Sequence, residues 1–222
     1  MTDKSVLCLQ MYMSAIKKPQ HRDPASTRLL RFAGTRSLIR TRDVADLGIH
    51  TGELTRLLRA GELEKVGPGR YRPYGKPPAS ENHDIVMATS AVPDCVICLA
   101  SALRFHEIGT QLPHQVWIAV PRGTRVPRLQ APPLRVVNIS PALFDFGVEV
   151  HRIEGQGVKV YSVARTVADC FRFRNTIGLD VALEALTEAW RGKRLNLDEL
   201  NRIAKRLRVQ RVMQPYLEMV VL

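Results

Sequence analysis

The chain has 222 residues, 45% of them apolar and 6% aromatic, with a formal net charge of +12. That length suits two domains with a core each, and the lack of repeats or low-complexity tracts excludes solenoid, collagen-like and disordered classes. The positive balance calls for a polyanionic partner, of which nucleic acid is the commonest.

In chain order, residues 1–24 read as an N-terminal extension. Its apolar stretch from Val6 to Ile16 is interrupted by Gln10 and followed by Lys17 and Lys18. It is too short to cross a bilayer and lacks the flanks of a secretory signal. Most cations elsewhere are arginines spread along the chain rather than lysines beside one apolar helix face, so no membrane partner is expected. Cys8, Cys95, Cys98 and Cys170 are too few for a disulfide framework. A cytoplasmic location with reduced thiols follows as the expectation.

Residues 25–73 carry the densest positive charge. Between 22 and 72 stand eleven cations against six anions, whereas residues 73–222, about three times as long, hold nineteen against fourteen. From Ser26 to Ala33, Leu29, Leu30 and Phe32 supply the apolar side of a first helix. Thr41 offers an N-cap to a short helix through Leu47, with Asp43 and Asp46 favourably placed in the helix dipole. Gly48 ends it, and Thr51 offers a cap to a third helix. There Leu54, Leu57 and Leu58 fall at i, i+3 and i+4 and face inward, which turns Thr55, Arg56 and Arg59 outward. Ala45 allows close approach of the preceding helix.

This pattern meets the needs of a DNA-recognition helix, in which an apolar stripe sets the docking angle while arginines reach guanine edges and threonines meet base methyls or phosphates. After Gly61, the run Glu62–Arg72 reads as two short strands around a Gly-Pro-Gly turn, a wing. The expected DNA-binding residues are Arg40, Thr41, Arg42, Thr51, Thr55, Arg56, Arg59, Lys65, Arg70 and Arg72. Lys65, Arg70 and Arg72 are expected at phosphates, with Arg70 also suited to a minor groove.

Pro73, Gly75, Pro77, Pro78 and Ser80 mark residues 74–81 as a linker. Beyond it, helices are expected around 82–90 and 98–107, then strands over 115–120, 134–139, 148–153 and 158–161. Ser162 can cap a helix to about Arg174, and an amphipathic segment follows from Leu179 to Trp190. Asn196 with Glu199 resembles a capping box, after which Leu197, Leu200, Ile203, Ala204 and Leu207 recur at helical spacing. The expected fold class is therefore α+β: an N-terminal winged helix-turn-helix, then a mixed α+β domain over 82–222 ending in a helical bundle.

Other signals favour structural readings. Cys95-Val96-Ile97-Cys98 has half a zinc-site spacing, with His83 and His106 as further donors, but no second Cys-x-x-Cys exists and the surrounding apolar run points to buried thiols. No metal or other cofactor is expected. Arg165 and Asp169, four apart, read as an intrahelical salt bridge. Neither a Gly-x-Ser-x-Gly nor a phosphate-binding Walker loop occurs, so no catalytic residue is assigned. The rival from another class is a metal-dependent nuclease using Asp145, Glu149 or Glu154, although none sits in a recognisable metal-binding arrangement. Arg202, Lys205, Arg206, Arg208 and Arg211 form a further basic group, readable as a solvated face or as a nucleic-acid surface, RNA included.

The segment "TRDVADLGIHTGELTRLLRAGELEKVGPGRYRP" resembles the N-terminal winged helix of AbiEi-family antitoxins, from abortive-infection type IV toxin–antitoxin systems. "VYSVARTVADCFRFRNTIGLDVALEALTEAW" resembles their helical segment: Ser162, Arg165, Thr166 and Asp169 match, while Ala164 replaces the common glutamate. The similarity spans most of residues 27–210. It implies an autorepressor that binds inverted repeats in its own promoter and opposes a nucleotidyltransferase-like toxin without a stable complex. A plain winged-helix repressor is the alternative.

Overall fold

The computed structural model describes residues 24–75, 80–129 and 131–221, so the expected N-terminal extension and the middle of the expected linker lie outside the described residues. The chain is α+β, and its front segment runs α1 (Ala25–Gly34), β1 (Ile39–Arg40), α2 (Thr41–Asp46), α3 (Gly52–Arg59), β2 (Leu63–Gly67) and β3 (Arg70–Pro73). The strands form one antiparallel sheet ordered β1-β3-β2. This is the element order expected of a winged helix, with β1 as a strand too short to show a period of its own. Leu29 and Ala33 of α1, Val44 of α2 and Leu54 and Leu57 of α3 close over Ile39 and Leu63 into a small core. Burying a stripe from each helix is what stabilises elements this short.

Local contacts differ in detail from the expected caps. Thr41 is the first residue of α2 rather than its cap. Arg40 occupies the cap, and the Asp43 carboxylate accepts its backbone N–H at 2.8 Å. Thr41 instead pins α2 to the hairpin turn, donating its N–H and hydroxyl to Gly69 O at 3.0 and 3.4 Å. Gly48 takes a left-handed φ of 65°, and Ile49 N–H then closes onto Val44 O at 3.1 Å. Thr51 stands at the cap of α3 but its side chain makes no capping bond. His50 does so, its Nδ1 accepting Gly52 N–H at 3.1 Å.

The remainder comprises α4 (His83–Ala91), β4 (Val96–Ile97), α5 (Leu99–Phe105), β5 (Val116–Pro121), β6 (Leu134–Ile139), α6 (Pro141–Phe144), β7 (Val148–Ile153), β8 (Gln156–Tyr161), α7 (Val163–Arg172), α8 (Arg174–Ile177), α9 (Leu179–Arg191), α10 (Leu197–Leu207) and α11 (Gln210–Val221). The strands make a mixed sheet ordered β6-β5-β4-β8-β7, in which β5–β6 and β4–β8 are parallel. Two-residue β4, at the sheet centre, lies within the Cys-x-x-Cys run. Cys95, Cys98 and Cys170 are buried and unpaired; burial pushes all three thiols up, that of Cys95 to about 12. Reactive or metal-binding thiolates are disfavoured there.

One sheet face packs on α4, the other on α5, α7, α9, α10 and α11. Ser162 caps α7 by accepting Arg165 N–H, and Asn196 caps α10 by accepting Glu199 N–H at 3.0 Å. The Arg165–Asp169 salt bridge forms at 2.7 Å with both side chains buried. Arg165 also donates to the carbonyls of Leu143 and Phe146 and lies over the Tyr161 ring, tying α7 to the segment before β7. Burial pushes the Asp169 carboxyl up, against the pull of Arg165 and Arg172.

The front segment is seated on the larger sheet. Leu38 and Val66 pack into the cluster beneath α4, and Gln156 Nε2 donates to Leu38 O at 3.1 Å. The β7–β8 turn, Glu154 and Gly155 with φ of 49° and 77°, is a tight hairpin of the kind that favours positive φ at both positions. The Glu154 carboxylate accepts from the Ser37 hydroxyl, from Ser80 Oγ at 2.8 Å and meets His83 Nδ1 at 3.0 Å. A Cβ on Gly155 would lie 2.6 Å from Thr35 O, so only glycine permits this approach.

Candidate nucleic-acid interface

Helix α3 has the geometry that its leucines dictate. Leu54 and Leu57 are buried and Leu58 half-buried, so Thr51, Thr55 and Arg59, at i, i+4 and i+8, form an exposed stripe with exposed Arg56 beside it. Arg56 donates to Glu53 at 2.9 Å, yet its side chain stays 58% exposed. Pairs this exposed contribute about 0–1 kcal/mol, so the guanidinium can leave Glu53 at little cost. Arg42 of α2 and Lys65 of the hairpin are also exposed.

The other expected contacts are engaged within the fold. Arg40 is half-buried, its guanidinium on Asp43 at 3.0 Å. Thr41 holds the hairpin turn, and Arg72 pairs with Glu64 across β2 and β3. Arg70 turns inward to 7% exposure rather than outward at the hairpin tip. Its guanidinium lies over Gly67, where a Cβ would stand 2.6 Å from a terminal nitrogen. Burial lowers its pKa, and its Nε has no hydrogen-bond partner. Along β3, Arg70 and Arg72 share the face opposite Tyr71, which packs on the front core, and the bulge between Lys65 and Gly67 on β2, unmarked by any sequence signal, sets Gly67 opposite Arg70.

Arg202, Lys205, Arg206, Arg208 and Arg211 are all exposed on α10, its C-terminus and α11. Arg206 donates to Ala142 O at 3.2 Å and lies over the Phe146 ring. This basic group belongs to the helical layer on the sheet face opposite α4. Of the carboxylates weighed as nuclease ligands, Glu154 is bound at the junction and Glu149 meets His151 at 3.1 Å. Among the described residues no group of three or more acidic, histidine or cysteine side chains is arranged to hold a metal. No helix among them is long and apolar enough to cross a membrane.

Sequence reasoning missed the junction residues Ser37, Glu154 and Gln156, and also Arg128, which lines a cleft with Arg70. Glu154-Gly155 between two strands was the one readable signal, as a turn. Its partner surface lies more than 70 residues away in sequence for His83 and farther still for Ser37.

Together these features define a two-part α+β protein whose front unit presents an exposed basic helix and a hairpin. Residues 28–74 match the family described as "Transcriptional regulator, AbiEi antitoxin". The resemblance read from the sequence therefore holds over this segment, and the matched family is regulatory rather than catalytic. Among solved structures, the RV2827C protein from Mycobacterium tuberculosis is similar over 83% of this chain and 72% of its own, with 16% identity and a TM-score of 0.51. At that identity the likeness is one of fold. Comparison with curated proteins finds no match.

Proposed function

We propose that this chain is the antitoxin and autorepressor of a type IV toxin–antitoxin operon. The front unit, acting as a winged helix, binds inverted repeats in the operon's own promoter. Residues 82–222 counteract a nucleotidyltransferase-like toxin without forming a stable complex with it. The observation that carries the DNA-binding part is the exposed stripe Thr51, Thr55, Arg56 and Arg59, opposite a buried leucine stripe, in a segment matching transcriptional regulators. Arg42 and Lys65, also exposed, supply phosphate contacts. The exposed cations of α10 and α11 offer a second nucleic-acid surface, RNA included.

Arginine–phosphate contacts release condensed counterions, so promoter affinity should fall steeply as salt rises. The test is a titration of the full chain onto its upstream promoter at several salt concentrations, beside a scrambled duplex. A log–log slope of several units with preference for the promoter is expected. A nearly flat slope, or equal affinity for both duplexes, refutes the reading.

A further inference from the structure

Between the hairpin and the larger unit lies a cleft of about 520 Å³, within the size range of small-molecule sites. Arg70 and Arg72 line it from β3, Asp84 and Met87 from α4, and Arg128 and Leu129 from the segment before β6. Arg72 is paired with Glu64, leaving Arg70 and Arg128 as its available cations. Arg70 is the informative residue: more than nine-tenths buried, with an Nε that no protein group satisfies. A buried donor left unpaired is costly unless a ligand or an ordered water accepts from it, and in a cleft of this size a ligand has room to do so.

We propose that this cleft binds a phosphorylated small molecule of mononucleotide size, with Arg70 and Arg128 holding the phosphate. A phosphate accepts from guanidinium donors in the fork geometry that lysine does not reproduce. Asp84, an acceptor, is placed to take a sugar hydroxyl and repels phosphate from its own side of the cleft. Met87 and Leu129 offer apolar surface to a base or ring. Arg70 belongs to the hairpin and Arg128 to the larger unit, so the ligand bridges the two parts. The site goes beyond the DNA-binding reading and does not depend on it.

The experiment is calorimetric titration of the full chain with adenosine monophosphate, pyrophosphate and adenosine. The two phosphorylated compounds should bind one per chain and adenosine should not. Arg128→Ala, an exposed position, and Arg70→Lys, which keeps charge but not the fork, should each weaken both phosphorylated compounds about tenfold or more. Asp84→Asn should weaken the monophosphate and not pyrophosphate. Unchanged thermal midpoints establish that Arg128→Ala and Asp84→Asn remain folded. Several results overturn the proposal: no binding of either phosphorylated compound, equal binding of adenosine, pyrophosphate binding without the monophosphate, or affinities that Arg128→Ala leaves untouched. If Arg128→Ala lowers promoter affinity alone, the cleft serves a DNA phosphate and the proposal also falls.

Discussion

Two groups of side chains carry the weight of this molecule for different reasons, one by exposure and one by burial. On α3, Arg56 and Arg59 are exposed with no tertiary role. Replacing either by alanine should leave stability within about 0.5 kcal/mol. It should cost about 1–3 kcal/mol on promoter DNA where the arginine reads a guanine edge, with less loss on a scrambled duplex. Parallel denaturation and promoter titrations check this, and an equal loss on both duplexes would assign these arginines to phosphates. Glu154 is the buried counterpart, its side chain 2% exposed at the junction. Burial raises its pKa, but hydrogen bonds from Ser37, His83 and Ser80 outweigh that and hold it below the ordinary glutamate value. A depressed carboxyl stabilises the fold fully above its unfolded value, near pH 4.3, and that contribution is lost as pH falls through the lower folded value. Glu154→Gln should therefore destabilise by about 1–3 kcal/mol at neutral pH. It should also flatten the stability loss of the native chain below about pH 4, which denaturation across a pH series would read. An unaltered acid limb would remove Glu154 from this role.

At the scale of elements, the helix-turn-helix depends on a cap that residue preference misassigns. Thr51 has the hydroxyl that caps favour, but its backbone is helical and its side chain makes no capping bond. His50 Nδ1 accepts the Gly52 N–H instead. His50→Ala should cost about 1 kcal/mol of stability, whereas Thr51→Ala should be nearly neutral for stability while weakening promoter binding through a lost phosphate contact. Urea denaturation and a promoter titration of both variants separate the two roles, and the reverse stability ranking would restore Thr51 as the cap. Most of the longer elements were legible because their periodicity is local: α9 and α10 bury one stripe each, and β5 to β8 lie where apolar runs are bounded by turn residues, whereas the twelve-residue α11, with Pro215 inside it, was not read. Two-residue β1 and β4 were not, since a strand that short has no period and exists only through its partners. The four-residue α6 and α8 are hidden for the same reason.

On the scale of the whole molecule, the question is how far the proposed DNA-reading and toxin-opposing activities separate. We expect residues 1–80 to keep promoter binding and residues 81–222 to protect cells, at least in part, from the cognate toxin. Cutting there removes Glu154 and Gln156 from Ser37 and Leu38 and exposes Leu38, which is fully buried in the intact chain. The front fragment should therefore melt below its midpoint in the full chain. Promoter binding, toxin rescue and thermal melts of both fragments check this; rescue by a folded front fragment alone would misplace the antitoxin activity. By itself the sequence determined the charge-dense front segment, the inward leucines and outward arginines of α3, the main strands and the capped rear helices. Each of these follows from period, capping or composition within a few residues. Only the tertiary structure decided that Arg70 turns inward, that Glu154 is a junction residue and that Arg128 faces Arg70 across a cleft. Those placements depend on which distant surfaces meet and on the strand bulge that sets Gly67 opposite Arg70, and no local pattern encodes either.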